Sequence, residues 1–399
     1  MNQPSASMDA TSAIASNQSN PPGSLAQIER DKDTSLKRMI EWLTQDPVRN
    51  TNSAHPGFGS FNHGVHGKTG HNPGQYTEIT GYGVSLLSHL SRYHKDDKYL
   101  EAARHAADFL LSIQLDNGAY PHCPKPDASC ANGEQFTFDT SMCTMGIMDL
   151  YAIDPQEKYA ESAIRAGDWL LSMQREDGSF RAKFSAQTGH MNTGNFFGDG
   201  SCIHVKNAMA LLKIAAGTGE ERFDIGGRKV CDYTLKLQSD EGLFWSMPTK
   251  NFVFTHAHCY ACEGFLSAGA YTGEQKYTDA ALKGIHWLKK SQNSDGSVYQ
   301  VYADQRGFKQ RVRQSVDAFK AADASSQAAR LFALAGAGFE SNYREAISFV
   351  KNQMQSPDGG LYYTNGRFRT NYMMYAWPTM FAIQAIEFAH QSVTPKDLF

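Results

Sequence analysis

The sequence lacks several features that mark whole classes of protein. No apolar run approaches the roughly 20 residues that a helix needs to cross a bilayer. The chain also lacks a large excess of charge of either sign, because its 38 Lys and Arg nearly balance its 41 Asp and Glu, for a formal net charge of -3. Such a balance provides no basic stripe for nucleic acid. We therefore expect no membrane insertion and no nucleic-acid partner.

Cysteine is scarce as well. The chain has 7 cysteines at irregular spacing, which excludes the disulfide framework of small secreted domains. A local disulfide between Cys123 and Cys130 stays open as an alternative. Residues 1–33 have neither a basic start nor a continuous apolar segment, so they do not resemble a signal peptide. We predict a cytoplasmic protein with a disordered tail over 1–33 and one folded domain over 34–399.

What the sequence does contain is a repeat of about 60 residues. In the copy from Tyr159 to Phe180, apolar residues recur at helical spacing, which predicts an amphipathic helix. The copy ends at Asp177-Gly178, where glycine can adopt the left-handed conformation that terminates a helix. Such an array predicts units that bury one another's apolar faces. The equivalent turn glycines are Gly59, Gly118, Gly242, Gly296 and Gly359.

The helices between these turns alternate between two kinds. One kind is apolar nearly all round and must be buried on both sides, whereas the other is amphipathic. The predicted inner helices lie near 76–94, 136–151, 201–216, 254–273, 324–338 and 371–390. The predicted outer helices are 99–114, 159–174, 227–238, 277–292 and 343–355, with 34–43 as partner of the last inner helix. Because that last pairing closes the array, we predict an all-α fold, an (α/α)6 toroid of six helical hairpins.

Three segments resemble the six-hairpin glycosidase-like superfamily. They are YTEITGYGVSLL (76–87), FDTSMCTMGIMDLY (138–151) and FTHAHCYACEGFLSAG (254–269). Within that group the chain resembles proteins of bacterial polysaccharide loci and the helical domain of uronate C5-epimerases. The resemblance implies the toroid, with a ligand in a funnel at one end of the inner helices. Because relatives include hydrolases, lyases and epimerases, it leaves the chemistry open.

Two other toroid families share part of the pattern. The turns QREDGSF and QNSDGSV are similar to the repeats of terpenoid cyclases, but the acidic DxDD-type motif that protonates a polyene does not occur in this sequence. Lanthipeptide cyclases need a zinc-ligand pattern that the sequence does not contain either. These two chemistries are therefore disfavoured.

Two carboxylates stand at the starts of predicted inner helices. The helix dipole stabilises the charged form of Asp139, which suits a base or nucleophile, although Asp139 would also serve as an N-cap. Glu78 stands against an apolar wall, where burial raises the pKa of a carboxyl and suits a general acid. The alternative for Glu78 is a first-turn residue that satisfies backbone donors. Tyr82 follows Glu78 by one turn on the same face, as a candidate substrate-binding residue.

The fourth predicted inner helix carries His256, Tyr260 and Glu263 on one face. We expect this face to line the funnel, with His256 and Glu263 as catalytic candidates and Tyr260 against the sugar. A satisfied polar cluster in the core is the alternative. A zinc site made of His256, Cys259 and Cys262 is disfavoured because structural zinc draws ligands from a turn and a second segment. No metal or other cofactor is expected.

Aromatic residues and one arginine complete the candidate binding residues. Sugar rings present apolar C–H faces that suit aromatic platforms, although ordinary core packing explains such residues equally well. Arg330 either neutralises a substrate carboxylate or pairs with an internal acid. The loop 61–74 is a candidate rim of the funnel. The aromatic candidates, with one histidine, are Tyr120, His122, Tyr372, Tyr375 and Trp377.

We therefore expect a carbohydrate-active enzyme that works on an oligosaccharide or polysaccharide, as a monomer or homodimer. The favoured hypothesis is a glycoside hydrolase with a carboxylate pair drawn from Glu78, Asp139 and Glu263. A uronate C5-epimerase or polysaccharide lyase is the alternative, with a His or Tyr base and Arg330 as the cation. A non-catalytic polysaccharide-assembly or glycan-binding protein is the third possibility.

Overall fold

A computed structural model describes most of the chain. The predicted tail, apart from Asp33, lies outside the described residues, as do Cys123 and Cys130. The described residues are 33–122, 133–192, 197–248, 252–303, 320–365 and 370–399.

The described residues are mainly helical. None of their helices is long and apolar enough to cross a membrane. The helices are α1 (Thr34–Thr44), α2 (Thr77–His94), α3 (Asp97–Ile113), α4 (Thr137–Tyr151), α5 (Glu157–Met173), α6 (Asn207–Thr218), α7 (Glu221–Leu235), α8 (Thr255–Thr272), α9 (Gln275–Ser291), α10 (Ala322–Ala335), α11 (Glu340–Phe349) and α12 (Ala376–His390).

These helices form two concentric rings. The even-numbered helices make the inner ring, in which each packs against the next and α12 packs against α2. Their side chains are buried nearly all round, as the apolar pattern predicts. Each odd-numbered helix from α3 to α11 packs outside its preceding partner, and α1 packs on α12. The predicted (α/α)6 toroid, closed by the pairing of its first and last helices, is confirmed.

The turn glycines join neighbouring hairpins. Gly178 has a φ of 90°, and a Cβ at that position would lie 2.2 Å from the carbonyl oxygen of Lys229 on α7. Only glycine fits such a close approach in that backbone conformation. The equivalent contacts run from Gly59 to His105, Gly118 to Arg165, Gly242 to Lys283, Gly296 to Glu345 and Gly359 to Arg38, each on the outer helix of the next hairpin.

A glutamine beside the turn reinforces this joint. The side-chain amide of Gln238 donates to the carbonyl oxygens of Gly242 at 3.0 Å and of Ala280 on α9 at 2.8 Å. The first bond therefore stabilises the turn that follows Gln238, and the second connects this turn to the next outer helix. The same paired bonds are made by Gln114, Gln174, Gln292 and Gln355.

Short strands lie in the segments that lead into the inner helices, which the sequence analysis did not foresee. They form a four-stranded sheet of order β1-β9-β8-β7, here termed the rim sheet, together with a sheet β2-β3-β4 and the pair β5-β6. The strands are β1 (Gly64–His66), β2 (Gln135–Phe136), β3 (Lys183–Ser185), β4 (Gly189–Met191), β5 (Phe252–Phe254), β6 (Val301–Ala303), β7 (Lys320–Ala321), β8 (Tyr362–Asn365) and β9 (Thr370–Tyr375).

Two predicted helix starts need correction. The last inner helix was expected from 371, but Thr370–Tyr375 is β9, which pairs antiparallel with β1 and β8, and α12 begins only at Ala376. The third inner helix begins as a 3-10 turn over Cys202–Lys206 before α6. In the first case, cross-strand hydrogen bonding with distant segments outweighs the local helical pattern.

The substitution Gly242→Ala tests the joint between hairpins. The new methyl group would lie 2.3 Å from the carbonyl oxygen of Lys283, so α9 must shift. Gly219→Ala is the matched control, because Gly219 has a φ of 77° but open space around it. Both variants carry the left-handed strain of roughly 1–2 kcal/mol, and Gly242→Ala adds an overpacking cost of about 1–3 kcal/mol. Equal melting temperatures for the two variants would contradict this account.

Candidate active site

Five inner helices begin around one circuit of side-chain contacts, most of whose members are partly exposed, here termed the funnel. On its first side, Oδ2 of Asp139 in the first turn of α4 lies 2.5 Å from Nδ1 of His122. The His122 ring nitrogens lie 3.4 Å from the hydroxyl of Tyr76, the N-cap residue of α2. Tyr76 stacks on His63 with ring centroids 4.7 Å apart, and His63 stacks on Trp377 of α12 at 5.1 Å. This side therefore joins α4, α2 and α12.

The second side of the funnel continues from Trp377. Its ring stacks on Tyr375 at 4.4 Å, and Tyr375 meets Tyr363 of β8 edge-on at 5.0 Å. The Tyr363 hydroxyl donates to Oδ2 of Asp323, 3.3 Å away in the first turn of α10. The same Asp323 oxygen lies 3.4 Å from Nδ1 of His256 on α8. The rim sheet positions both tyrosines, and their contacts connect α12 to α10 and α8.

The floor of the funnel closes this circuit of contacts. The His256 and Tyr260 rings lie 4.2 Å apart, and the Tyr82 hydroxyl donates to the Tyr260 hydroxyl at 2.8 Å. Phe138 packs against Tyr260 at 5.1 Å and precedes Asp139 in the chain. Tyr82 and Tyr260 are 0% and 1% exposed, so both phenols lie below the surface that a sugar can reach. Their predicted role in direct sugar contact is therefore corrected to support of the floor.

Glu78 is partly exposed at this floor. Burial and the nearby Asp139 charge raise the pKa of Glu78 well above its usual range, against the opposing effects of Lys206 and the Tyr82 hydroxyl. The raised pKa favours the carboxylic acid form of Glu78, which is the form that donates a proton. Asp139 does not cap α4, because the N-cap position is Phe136 and the Asp139 carboxylate binds His122 instead.

Of the three partly exposed imidazoles of the funnel, His122 and His256 lie beside aspartates, and their pKa values are shifted in opposite directions. Burial opposes protonation of His122, but the charge and hydrogen bond of Asp139 outweigh it and raise the pKa of His122. Burial prevails at His256 and lowers its pKa, although Asp323 and Gln327 act in the other direction. His122 therefore binds a proton more readily than a free imidazole does, and His256 less readily. Opposite pKa directions are the signature of an acid and a base.

Glu263 and Arg330 lie in the core and not on the funnel wall. The Glu263 carboxylate accepts from Nη2 of Arg330 at 2.5 Å and from Nζ of Lys206 at 3.0 Å, and all three side chains are fully buried. Arg330 also donates to the carbonyl oxygen of Phe399 at 2.9 Å. These bonds occupy both carboxylate oxygens and much of the guanidinium. Glu263 therefore belongs to a polar cluster in the core, and Arg330 pairs with an internal acid. These are the alternatives that the sequence left open.

Two aromatic candidates also lie away from the funnel. Tyr120 is fully buried and shares a 2.7 Å hydrogen bond with Ser162 on α5, so it packs inside the second hairpin. Tyr372 lies in β9, where the Lys68 ammonium sits 3.6 Å above its ring. Tyr372 contacts Tyr362 and Tyr375 contacts Tyr363, and because Tyr362 and Tyr363 are consecutive in β8, the two contacts lie on opposite faces of the rim sheet. Only Tyr375 reaches the circuit of contacts.

Five members of the circuit were not predicted as site residues. His63 was noted only within a rim loop, and Tyr76, Phe138, Asp323 and Tyr363 were not singled out. Asp323 had a usable signal, because it is the second residue of α10 just as Glu78 is the second residue of α2. An acid in the first turn of an otherwise apolar helix is the pattern that would have found it.

The substitution Asp139→Asn tests the contact between Asp139 and His122. Removing the carboxylate leaves burial as the main influence on His122, so we expect the pKa of His122 to fall. Asp323→Asn is the control, since it faces His256 and leaves the pair on α4 intact. NMR titration of the ring protons should show that each variant shifts only its own imidazole. An unchanged His122 titration in Asp139→Asn would contradict the assignment.

Solved structures with this fold include several sugar-processing enzymes. Cellobiose 2-epimerase from Bacillus thermoamylovorans superposes with a TM-score of 0.71 at 15% identity, covering 90% of this chain and 99% of its own. A D-mannose isomerase gives a TM-score of 0.70 at 12% identity, covering 93% and 99%. An unsaturated glucuronyl hydrolase specific for heparin gives 0.67 at 9%, covering 91% and 96%. Identities this low establish a common fold.

The sequence itself matches two family profiles, whereas no curated protein matches it. The pectic acid lyase profile matches residues 76–148, which span the first two inner helices. The squalene-hopene cyclase C-terminal domain profile matches residues 136–338, just over half of the chain, from α4 to α10. This second match follows the helical repeat with its glycine turns, which the sequence analysis compared with terpenoid cyclases. The chain belongs to the family of the squalene-hopene cyclase C-terminal domain.

Proposed function

We propose that the chain is a sugar epimerase or isomerase that moves a proton on a sugar bound in the funnel. One observation carries the proposal: buried aspartates stand behind accessible imidazoles. The His122 side chain is 23% exposed and that of Asp139 is 6% exposed, and the values for His256 and Asp323 are 14% and 3%. A buried carboxylate that orients an accessible imidazole is the arrangement of general acid–base catalysis.

The opposite pKa directions of the two imidazoles assign their roles. His256, whose pKa is lowered, is neutral at physiological pH and acts as the base. His122 and Glu78, whose pKa values are both raised, are the proton donors. The fold neighbours named as epimerase and isomerase support this assignment, since they also process sugars on an (α/α)6 toroid.

The proposed reaction begins with the open-chain form of the sugar. His256 removes the proton from the carbon next to the carbonyl, the C–H electron pair forms a C=C bond, and the carbonyl oxygen takes a proton from His122 or Glu78. The resulting enediol is neutral, and one proton has passed from the donor to the sugar and another from the sugar to His256. The epimer forms when the same carbon is protonated on its opposite face and the enediol O–H returns its proton to the group that supplied it, which restores the carbonyl. The isomer forms when the former carbonyl carbon is protonated and the hydroxyl on the neighbouring carbon gives its proton to that same group, which creates the new carbonyl.

A neutral sugar suits this funnel better than a uronate. Abstraction of a proton beside a carboxylate needs a cation against that carboxylate, the role predicted for Arg330. Arg330 is instead fully buried against Glu263. The uronate epimerase and lyase alternatives therefore lose the cation on which they relied. The match to the pectic acid lyase profile makes a uronate the comparison substrate in the test below.

Glycoside hydrolysis is the second candidate function. It is favoured by Glu78, a protonated carboxyl beside the Asp139 carboxylate, which is the acid and base arrangement of glycosidases. The base of this pair is less accessible than the imidazoles, because the side chain of Asp139 is 6% exposed, against 23% for His122 and 14% for His256. A water molecule must reach the base in this mechanism, whereas the imidazoles are already open to the funnel.

Exchange of solvent deuterium into a sugar tests the proposal directly. We expect the wild-type protein in deuterium oxide to place deuterium on the carbon next to the carbonyl of mannose, glucose or cellobiose, as seen by proton NMR. His256→Gln should reduce the exchange rate by about 10²–10⁴-fold, the usual contribution of a general base. Tyr120→Phe is the control, because it removes a buried hydroxyl outside the funnel.

The competing functions give different outcomes in the same panel. Hydrolysis predicts new reducing ends from oligosaccharides, with loss of activity in Glu78→Gln and little change in His256→Gln. A uronate enzyme predicts exchange at C5 of a uronate oligosaccharide and none with the neutral sugars. Binding of sugars without exchange or cleavage, unchanged in both variants, would identify a non-catalytic glycan-binding protein and overturn the proposal.

A further inference from the structure

A fully buried glutamine connects the ionic core to His256. The side-chain nitrogen of Gln327 donates to Oε1 of Glu263 at 3.2 Å. Its side-chain oxygen lies 2.8 Å from Nδ1 of His256. Gln327 lies on α10 and is 0% exposed, so both ends of its amide are bound within the protein. The three residues form a continuous chain from the core to the funnel wall.

Hydrogen-bond chemistry fixes the direction of this chain. An ionised carboxylate only accepts, so Gln327 must turn its NH₂ group toward Glu263. The amide oxygen then faces His256, and because that oxygen also only accepts, Nδ1 must carry the ring proton. Asp323, 3.4 Å from the same nitrogen, is a second acceptor and favours the same tautomer. In neutral His256 the lone pair is therefore on Nε2.

The ionised state of Glu263 is secured mainly by Arg330, because burial lowers the pKa of the second partner, Lys206, to about 7. Burial alone would raise the pKa of Glu263, but Arg330 and then Lys206 overcome it and lower that pKa below its usual range. Both side chains also donate to the main-chain oxygen of Phe399, at 2.9 Å in each case. Glu263 is therefore an acceptor of fixed position, which is what an orienting group requires.

We propose that Glu263 and Gln327 are positioning residues that fix the tautomer of His256 and so leave Nε2 as the atom that removes the proton from the sugar. This inference rests on the role of His256 in the proposed function. No described residue forms a hydrogen bond with Nε2 of His256, and the side chain is partly exposed. The neighbouring rings of Tyr260 and Phe381, with centroids 4.2 Å and 6.5 Å from that of His256, contain no nitrogen that could accept the sugar proton in place of Nε2.

A purely structural role is the competing explanation for the same contacts. Buried ion pairs need further hydrogen bonds to compensate for desolvation, and Gln327 would provide one for Glu263 whatever His256 does. The two explanations differ in one observable. Only the positioning role makes the protonation site of the His256 ring depend on the Gln327 amide.

Gln327→Leu, compared with Gln384→Leu, separates the two roles. Gln384 is also fully buried, and its oxygen accepts from Nη1 of the same Arg330 at 2.7 Å, but it does not contact His256. Both variants lose a buried amide beside one ionic network and should lower the melting temperature. ¹⁵N NMR of histidine-labelled protein reports which ring nitrogen of His256 carries the proton. We expect a lower fraction of Nδ1-protonated His256 in Gln327→Leu and the wild-type tautomer in Gln384→Leu.

The exchange assay gives the second readout. Gln327→Leu should reduce the exchange rate by about 10–100-fold, the range found when the partner that orients a histidine is removed, while Gln384→Leu stays near wild type. A wild-type tautomer in Gln327→Leu, or an equal change in both variants, would overturn the positioning role. If the tautomer changes but the wild-type protein exchanges no sugar proton, the proposed function fails and the orientation of His256 stands. If His256→Gln abolishes exchange and Gln327→Leu does not, the function stands and the positioning role fails.

Discussion

The joint between a turn glycine and the next outer helix is the constraint on which the remaining structure depends. A glycine turn approaches the backbone of the next outer helix so closely that no Cβ fits, and a glutamine amide bonds across the same gap. Because this contact recurs around the ring and finally joins Gly359 to α1, it sets the height of each hairpin relative to the next. Because neighbouring hairpins are aligned in this way, the inner helices begin at the same end of the ring, and their first turns lie close together.

Polar chemistry in the funnel follows from this convergence. The first turns of α2, α4, α8 and α10 carry Glu78, Asp139, His256 and Asp323, which are distant in sequence and adjacent in space. Helix N-termini favour carboxylates, so acids at these positions cost little stability. The ionic core beneath the floor is different, since Glu263, Lys206 and Arg330 are fully buried and pay a large desolvation penalty. Because the geometry of this ionic core is fixed, the buried Glu263 can orient a side chain that lies nearer to the funnel.

Family membership and chemistry come from different parts of the chain. The profile of the squalene-hopene cyclase C-terminal domain covers the helical repeat, whose glycine turns and apolar faces build the toroid of this chain. The side chains at the funnel decide which reaction such a toroid supports. In this chain they include imidazoles with buried aspartate partners and a glutamate whose pKa is raised, and the proposed proton transfer depends on this set.

The sequence by itself determined the repeat, the closed ring, and the distinction between inner and outer helices, because these follow from local periodicity and from glycine at the turns. It also made Glu78, Asp139 and His256 candidates, since a polar residue in the first turn of an apolar helix is conspicuous. Only the tertiary structure decided which side chains meet. Periodicity identifies no preferred face on a helix that is buried all round, so Glu263 could not be assigned to the core or to the funnel. Its partner Arg330 lies 67 positions away and the Gln327 bond to His256 spans 71, and such pairings exist only once the ring has closed.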